Sequence, residues 1–432
     1  MVKSHIHIIG GGLAGLSSAV FLSHQQELQI NLHEGSRVFG GRARSFYDPA
    51  LQRLIDNGTH LILSSNETVF KYLQTLNSED QLISSGKPFF PFIDLEENKR
   101  WNICLSKGKI PWWLFSSKSN VPDYRLKELI SFYHLLKASD KDTVADCLVE
   151  GQLSRRLLWP FSISVLNTTN ERASAILLSS VIKQSLAKGG MKCIPYLARE
   201  GLSETFVYPA LSLIKVQGGQ AYTQSRLVEL HVNDDRIDYF ITSRGKVELG
   251  QKDKVILAIH PYALTQLLFP IAREIKIPNQ FESILNIHYA VDFKLNTKGS
   301  VNRARFIGVI GGISEWIFIK AGVISVTVSA ANRLTGCSTE NLINLIWKEV
   351  QFVLNPIVDS NLPEIVPPHR LLWEKRASFL ASNEQLKLRS SCYTPLKNLF
   401  LAGDWTETGL PSTIEGAMRS GWSAAQAVSC LS

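Results

Sequence analysis

HIIGGGLAGLSSAVFL, residues 7–22, decides the architecture of this 432-residue chain. His5–Ile9 is an apolar run of strand length, and from about Leu13 to Ser23 the apolar Leu16, Ala19, Val20 and Phe21 recur at helical spacing. Between them stand Gly10, Gly12 and Gly15 in the pattern G-x-G-x-x-G. A second strand, LQINLHE, follows and ends at Glu34. In this strand–turn–helix–strand setting the first glycine allows a tight turn, the second lets backbone approach a pyrophosphate, and the third lets helix and strand pack closely. The free N–H groups and dipole at the helix start attract phosphate. Glu34 falls where a carboxylate accepts hydrogen bonds from a ribose. Lys3 ahead of an apolar run also outlines a signal peptide, but that alternative leaves Glu34's placement unexplained.

Two further segments say which dinucleotide is expected. In NLHEGSRVFGGRARS (31–45), Gly40 and Gly41 let a loop run close over a ligand, and Arg42 and Arg44 can offer guanidinium donors to phosphate. The alternative is a plain surface turn with two solvated arginines. In LFLAGDWTETGLPSTIEGAMRSG (399–421), Asp404 sits at the carboxyl end of a hydrophobic strand, where α/β sheets bind ligands. A carboxylate there accepts from a ribityl hydroxyl, and a helix starting near Ser412 aims its N–H groups at the negative edge of a reduced flavin. Together the three segments predict FAD.

Hydrophobic residues make up 45% and charged residues 19% of the chain, the balance of a folded protein. Its length exceeds what one core fills, so separate lobes are expected. No uncharged run is long enough to span a membrane. The net charge of +8 suits an anionic cofactor or an acidic lipid surface. Scattered Lys and Arg without a zinc-finger, RNP or basic-region pattern argue against nucleic acid. Six cysteines lie far apart with no C-x-x-C pair, as expected of free thiols in a reducing compartment such as the cytoplasm. No hydrolase elbow, Walker lysine, H-E-x-x-H or Cys/His cluster is present, so no metal is predicted.

The predicted fold class is α/β. Residues 1–75, 200–270 and 391–432 form a discontinuous Rossmann-like FAD-binding domain, 76–199 an inserted, mainly helical lobe, and 271–390 a mixed α+β substrate lobe. Within the helical lobe, residues 139–161 and 170–189 read as amphipathic helices, the second capped by Asn170 and stopped by Gly189. Strands are expected at 221–232, 236–244 and 254–259, with a hairpin turn at Asn233, Asp234 and Asp235, and a helix at 339–354.

IDNGTHLIL (55–63), WPFSISVLNT (159–168), GLSETFVYPAL (201–211), EKRASF (374–379) and LAGDWTETGLPSTIEGAMRSG (401–421) resemble the flavin-dependent amine oxidase and phytoene desaturase superfamily. Within it the chain is most similar to the hydroxysqualene dehydroxylase family. The resemblance spans almost the whole chain. It implies FAD contacts at Gly10, Gly12, Leu13, Ala14, Gly15, Glu34, Gly35, Gly41, Arg42, Gly403, Asp404 and Ile414. Leu227 stands where a valine commonly meets the adenine, and Gly58 and His60 would lie near the isoalloxazine. The implied activity is reductive dehydroxylation of hydroxysqualene to squalene in bacterial squalene and hopanoid biosynthesis, with hydride from reduced FAD. The competing readings are a carotenoid or polyprenoid desaturase, an amine oxidase, and a non-catalytic polyprenoid-binding flavoprotein.

Such a reaction asks the protein for a proton donor, a dry apolar cavity and support for a transient cation. His60 is the candidate catalytic residue, with a purely structural histidine as the alternative. Asp56 is expected to brace its loop, and Glu415 to serve the closing helix dipole and cofactor loop. Trp112, Trp113, Phe115, Trp159, Phe161, Trp316, Phe318 and Trp373 are expected to supply aromatic faces to the cavity. Trp112, Trp113 and Phe115, between lysines, also outline a lip for peripheral contact with the inner membrane. Cys392 lies too near the closing strand to tether flavin, so FAD is expected to dissociate. The partners implied are a polyprenoid substrate and the upstream squalene-pathway synthases.

Overall fold

A computed structural model describes residues 3–116, 119, 121–268, 274–296, 299–320 and 322–430. The opening unit forms as expected: β1 (Ser4–Ile9), α1 (Leu13–Leu22) and β2 (Leu28–His33). These strands belong to a five-stranded sheet in the order Gln220–Tyr222, β2, β1, Lys254–Leu257, Leu399–Leu401. Every pairing is parallel. Strands buried on both faces need largely apolar sequence, which Ile6, Ile8 and Ile9, VIL (255–257) and LFL (399–401) supply. Segments from the beginning, middle and end of the chain thus share one sheet.

Helix α1 is clamped between this sheet and the closing helix Ile414–Cys430. The two helices approach at their backbones. Ser17 Oγ donates to the Met418 carbonyl at 2.7 Å, and Ser18 Oγ to that of Gly421 at 2.9 Å. A β-carbon at Gly421 would lie 2.1 Å from the Ala14 carbonyl oxygen, so only glycine fits.

A second, seven-stranded sheet carries the other half of the molecule. Its order is His369–Phe379, Phe281–Ala290, Val323–Val328, Trp316–Lys320, Phe306–Ile310, Phe89–Asp94, Lys99–Cys104. The helix Thr339–Leu354, capped by Ser338, covers one face with Leu342, Ile346, Trp347 and Val350. Ile284, Asn286, Trp316, Phe318 and Thr327 of this sheet line a cavity.

Three expectations for the middle of the chain are corrected. The mainly helical reading of 76–199 includes Phe89–Asp94 and Lys99–Cys104, which form a hairpin on the edge of the seven-stranded sheet. The aromatic-rich FFPFID and KRWNIC are too short for helices and pack well on a pleated surface. The helix expected over 139–161 is broken into Val144–Cys147, a π-helical turn Ser154–Leu158, and Trp159–Leu166. The wider turn lets consecutive Arg155 and Arg156 both reach the fully buried Asp94, with Glu96, Glu97 and Asp123 completing the network. The next helix is Ala175–Gln184, preceded by Ser174 rather than capped by Asn170, and it ends before Gly189. A 3-10 turn, Leu186–Lys188, follows, and Gly189 stops it as expected, packing on Gly108, where a β-carbon would be 2.8 Å from the backbone. Among the described residues no helix is long and apolar enough to cross a membrane.

The strands expected at 221–232 and 236–244 appear as Leu227–Asn233 and Arg236–Thr242, with Asp234 in the left-handed region at the turn. With Gly245–Glu248 they form a small antiparallel sheet packed against the five-stranded one. Between the two sheets the rings of His5, His7, His33 and Tyr222 stack in series, 6.1, 5.6 and 5.2 Å apart, with Phe240 set edgewise on His7 and His33. Burial, then the neighbouring His33, lowers the His7 pKa to about 3. Burial, then Arg244, lowers that of His33 to about 4. Unfolding frees both imidazoles to take protons near 6.5, so acid favours the unfolded state. Their contribution to stability is intact above pH 6.5 and falls as the pH drops toward 4. Thermal unfolding between those limits is expected to show a midpoint that falls with pH, less steeply in His7→Gln than in the native chain. Equal slopes would contradict the assignment.

Candidate active site

The glycine turn has the geometry its spacing implies. Gly10 has φ +115°, and a β-carbon there would lie 2.2 Å from the Ala258 carbonyl oxygen. A β-carbon at Gly15 would lie 1.9 Å from that of Gly10. Both glycines are demanded by packing. Gly12 differs: its φ of −76° suits any residue, and a β-carbon would meet nothing nearer than the Gly41 α-carbon at 4.0 Å. Gly12 therefore holds space open. No side chain caps α1 and no acid occupies its first turn, so its first N–H groups face that space available to an anion. The second loop lies over the first through a bridge between Gly12 and Gly40, with Gly40 and Gly41 at φ +105° and +57°.

Glu34 closes β2, its two carboxylate oxygens accepting from the Gly11 and Ser36 amides at 2.8 and 2.7 Å. Both arginines have partners within the protein: Arg42 pairs with Asp404 at 2.7 Å and donates to the Ala377 carbonyl, while Arg44 donates to the Gly41 carbonyl. Burial alone would raise the Asp404 carboxyl pKa, but the Arg42 charge and hydrogen bond hold it below the usual carboxylate range. The closing helix starts at Ile414, two residues beyond the expected start.

These elements border one continuous cavity of about 1440 Å³, larger than the roughly 300–1,000 Å³ of an ordinary small-molecule pocket. Gly10, Gly12, Leu13, Ala14, Glu34, Gly35, Gly41, Arg42, Gly58, His60, Leu227, Gly403, Asp404 and Ile414 all line it. Gly15 lies beneath, in the packing of α1. From the glycine end the cavity runs into an aromatic chamber walled by Phe90, Phe92, Trp113, Phe161, Trp316 and Phe318. Four of these were expected. Trp112, Phe115 and Trp159 instead face solvent, and Trp373 packs on the core beside the Thr339–Leu354 helix. Trp113 is only 7% exposed, so it forms chamber wall and not lip. Phe90 and Phe92 were missed, although their i, i+2 spacing on a strand puts both on one face.

His60 borders the cavity beside Gly58, where a β-carbon would be 2.9 Å from Asn286 Nδ2. Burial lowers its pKa, Asp56 opposes this, and Arg42 adds to it. The shift favours the neutral imidazole and so works against the protonated form that a proton donor needs. Asp56 braces the loop as expected, accepting from Ser45 Oγ at 2.6 Å and the Leu202 amide at 2.9 Å. Glu415 serves a different dipole from the one expected. It accepts from the Thr68 and Val69 amides at the start of the helix Glu67–Leu76 and pairs with Arg419 at 2.9 Å. Four carboxyls line the cavity: Glu34, Glu374, Asp404 and Glu415. Three have hydrogen-bond partners; the Glu374 carboxylate, opposite Ile284 on the sheet edge, makes no side-chain hydrogen bond among the described residues and faces the charge of Arg42.

The open space at Gly12, the uncapped helix and the carboxylates Glu34 and Asp404 at the sheet's carboxyl ends fit a flavin dinucleotide, and the chamber beyond fits an apolar substrate. Fold and site together define a flavin-dependent oxidoreductase. The chain belongs to the family of flavin containing amine oxidoreductases, whose profile matches residues 13–429, and within it to the hydroxysqualene dehydroxylase group. It is 38% identical to the hydroxysqualene dehydroxylase of Zymomonas mobilis, covering 97% of each chain. The enzyme of the same name from Sinorhizobium fredii is 36% identical, again over 97% of each. In fold the chain is similar to an oxidoreductase from Methanosarcina mazei, with a TM-score of 0.70 at 13% identity, over 98% of this chain and 100% of that one.

Because Gly12 keeps space rather than packing, Gly12→Val is expected to leave the thermal midpoint of the flavin-free protein unchanged while weakening FAD binding about tenfold or more. Fluorescence titration of the apoprotein with FAD measures this, and undiminished affinity would contradict the placement of the pyrophosphate.

Proposed function

We propose that this protein is an FAD-dependent reductive dehydroxylase that converts hydroxysqualene to squalene in bacterial squalene and hopanoid biosynthesis. The observation that carries the reading is the single cavity joining a dinucleotide-binding turn to an aromatic, apolar chamber. Gly10, Gly12, Glu34, Arg42, Asp404 and Ile414 would hold FAD, with Gly15 packing the turn from beneath, Gly35, Gly41, Leu227 and Gly403 along the cofactor and Gly58 and His60 beside its ring. Bound and reduced, FAD supplies hydride to carbon.

The chain's own residues do the rest. Glu374, beside the Arg42 guanidinium, is the cavity carboxyl without a side-chain hydrogen bond among the described residues, and in its protonated form it passes a proton to the substrate hydroxyl. The C–O bond then breaks, its electron pair leaving with water, and hydride closes the C–H bond. The faces of Trp316 and Phe318 steady the cationic carbon until hydride arrives, and the apolar walls keep bulk water from intercepting it. His60, neutral, orients groups near the ring by hydrogen bonding. The substrate is insoluble in water, which favours a cytoplasmic protein in peripheral contact with the inner membrane near Trp112 and Phe115 and receiving substrate from the upstream synthases.

Anaerobic turnover tests the reading: protein reduced with dithionite is expected to convert hydroxysqualene to squalene, with its flavin turning yellow again. Re-oxidation by phytoene or amines and not by hydroxysqualene would replace it with a desaturase or amine oxidase. Glu374→Gln is expected to lower kcat about 100-fold or more, the scale of a lost proton donor, whereas His60→Asn costs roughly tenfold or less. The reverse ranking would return the proton-donor role to His60.

A further inference from the structure

The chamber has an outer wall, and the residues on its far side form a distinct surface. Between Leu105 and Phe115 the chain alternates between the two sides: Leu105 and Trp113 face the chamber, while Ile110, Trp112 and Phe115 are 58%, 65% and 59% exposed. The 186–193 loop lies against this segment, with the Gly190 amide donating to the Ser106 carbonyl at 2.9 Å. It repeats the arrangement, Leu186 and Cys193 lining the chamber and Met191 lying exposed. The adjoining helix Ile130–Lys137 and the turn before it pack Leu129, Phe132 and Leu135 inward and leave Leu126, Ile130 and Tyr133 outward. Tyr124 ties this element to the first by donating to the Leu114 carbonyl.

Charge says what covers this face. Lys107, Lys109, Lys127 and Lys137 are exposed and make no ion pair among the described residues. Two nearby acids are already engaged: Asp123 with Lys99 and Arg156, Glu67 with Lys188 and Lys192. Exposed aromatic and aliphatic side chains ringed by unpaired lysines are complementary to a bilayer with anionic headgroups.

We propose that this face docks on an anionic lipid bilayer and that the chamber fills from the lipid phase through the wall formed by residues 105–115 and 186–193. The proposal rests on the apolar-substrate reading above and names the surface that delivers that substrate.

Co-sedimentation of the FAD-loaded protein with vesicles of equal parts phosphatidylglycerol and phosphatidylcholine tests it. The native protein is expected to bind these vesicles, and phosphatidylcholine alone far more weakly. Trp112→Ser with Phe115→Ser is expected to weaken binding about tenfold or more, and Lys107→Ala or Lys109→Ala about fivefold each, an effect that vanishes at high salt. Tyr47→Ser, an exposed aromatic elsewhere, is expected to change nothing. A flavin spectrum matching the native one shows that each variant is folded. Undiminished binding by the aromatic double variant, or equal binding to both vesicle types, overturns the proposal. A native dimer dissociated by the same double variant overturns it too, by assigning the face to a second copy. With hydroxysqualene in vesicles the double variant is expected to raise KM and leave kcat unchanged, and with substrate in detergent micelles to match the native protein. Failure of the native protein to turn over either preparation would sink the dehydroxylase reading, while the co-sedimentation result would still decide lipid docking.

Discussion

The close approach of α1 to the closing helix is the contact on which the rest of the molecule depends. Ala14, Ser17, Ser18 and Gly421 are small enough for the two backbones to meet, and the serine hydroxyls satisfy carbonyls across the seam. That contact brings the glycine turn and the loop carrying Asp404, nearly four hundred residues apart, to the rim of one cavity. The Arg42–Asp404 pair then ties the second glycine loop to the closing segment. A larger residue at Gly421 would separate the helices and divide the cofactor-binding end of the cavity.

The second tie holds the inserted lobe. Asp94, on the hairpin at the edge of the seven-stranded sheet, is fully buried and faces two arginines from the π-helical turn. Removing one partner from such a buried pair costs about 3–5 kcal/mol, so this junction is specified by charge as well as by apolar packing. It fixes the lobe whose Phe161 and Leu158 wall the chamber. Structural carboxylates and substrate-facing aromatics thereby hold fixed relations to one another.

The cavity divides its labour along its length. At the glycine end, backbone amides and carboxylates are pre-oriented for a polar, charged molecule. In the chamber, aromatic faces and the near absence of charge suit a long hydrocarbon. Burial lowers the pKa of two cavity-lining histidines, His33 and His60, and favours their neutral forms. Among the described residues, Glu374 is the one cavity carboxyl whose side chain makes no hydrogen bond.

The strand–glycine–helix unit, its terminal Glu34, the Asp404 strand end and the Thr339–Leu354 helix were legible in the sequence, because each rests on local spacing. So were the residues bordering the cofactor end, since turn glycines and strand-end carboxylates carry their function in their position. The hairpin at 89–104, the π-helical turn and the break before Ser174 were not, because each is settled by partners remote in sequence: a sheet edge, a buried Asp94, a backbone carbonyl. The same holds for side-chain roles. Which tryptophan walls the chamber, which faces outward and which cavity carboxylate makes no hydrogen bond depend on neighbours that only the folded chain assembles. The amino-acid order by itself determined the dinucleotide turn and the kind of cofactor it suits; tertiary structure decided the shape and walls of the chamber, because burial and pairing are properties of surfaces that meet after the chain has closed on itself.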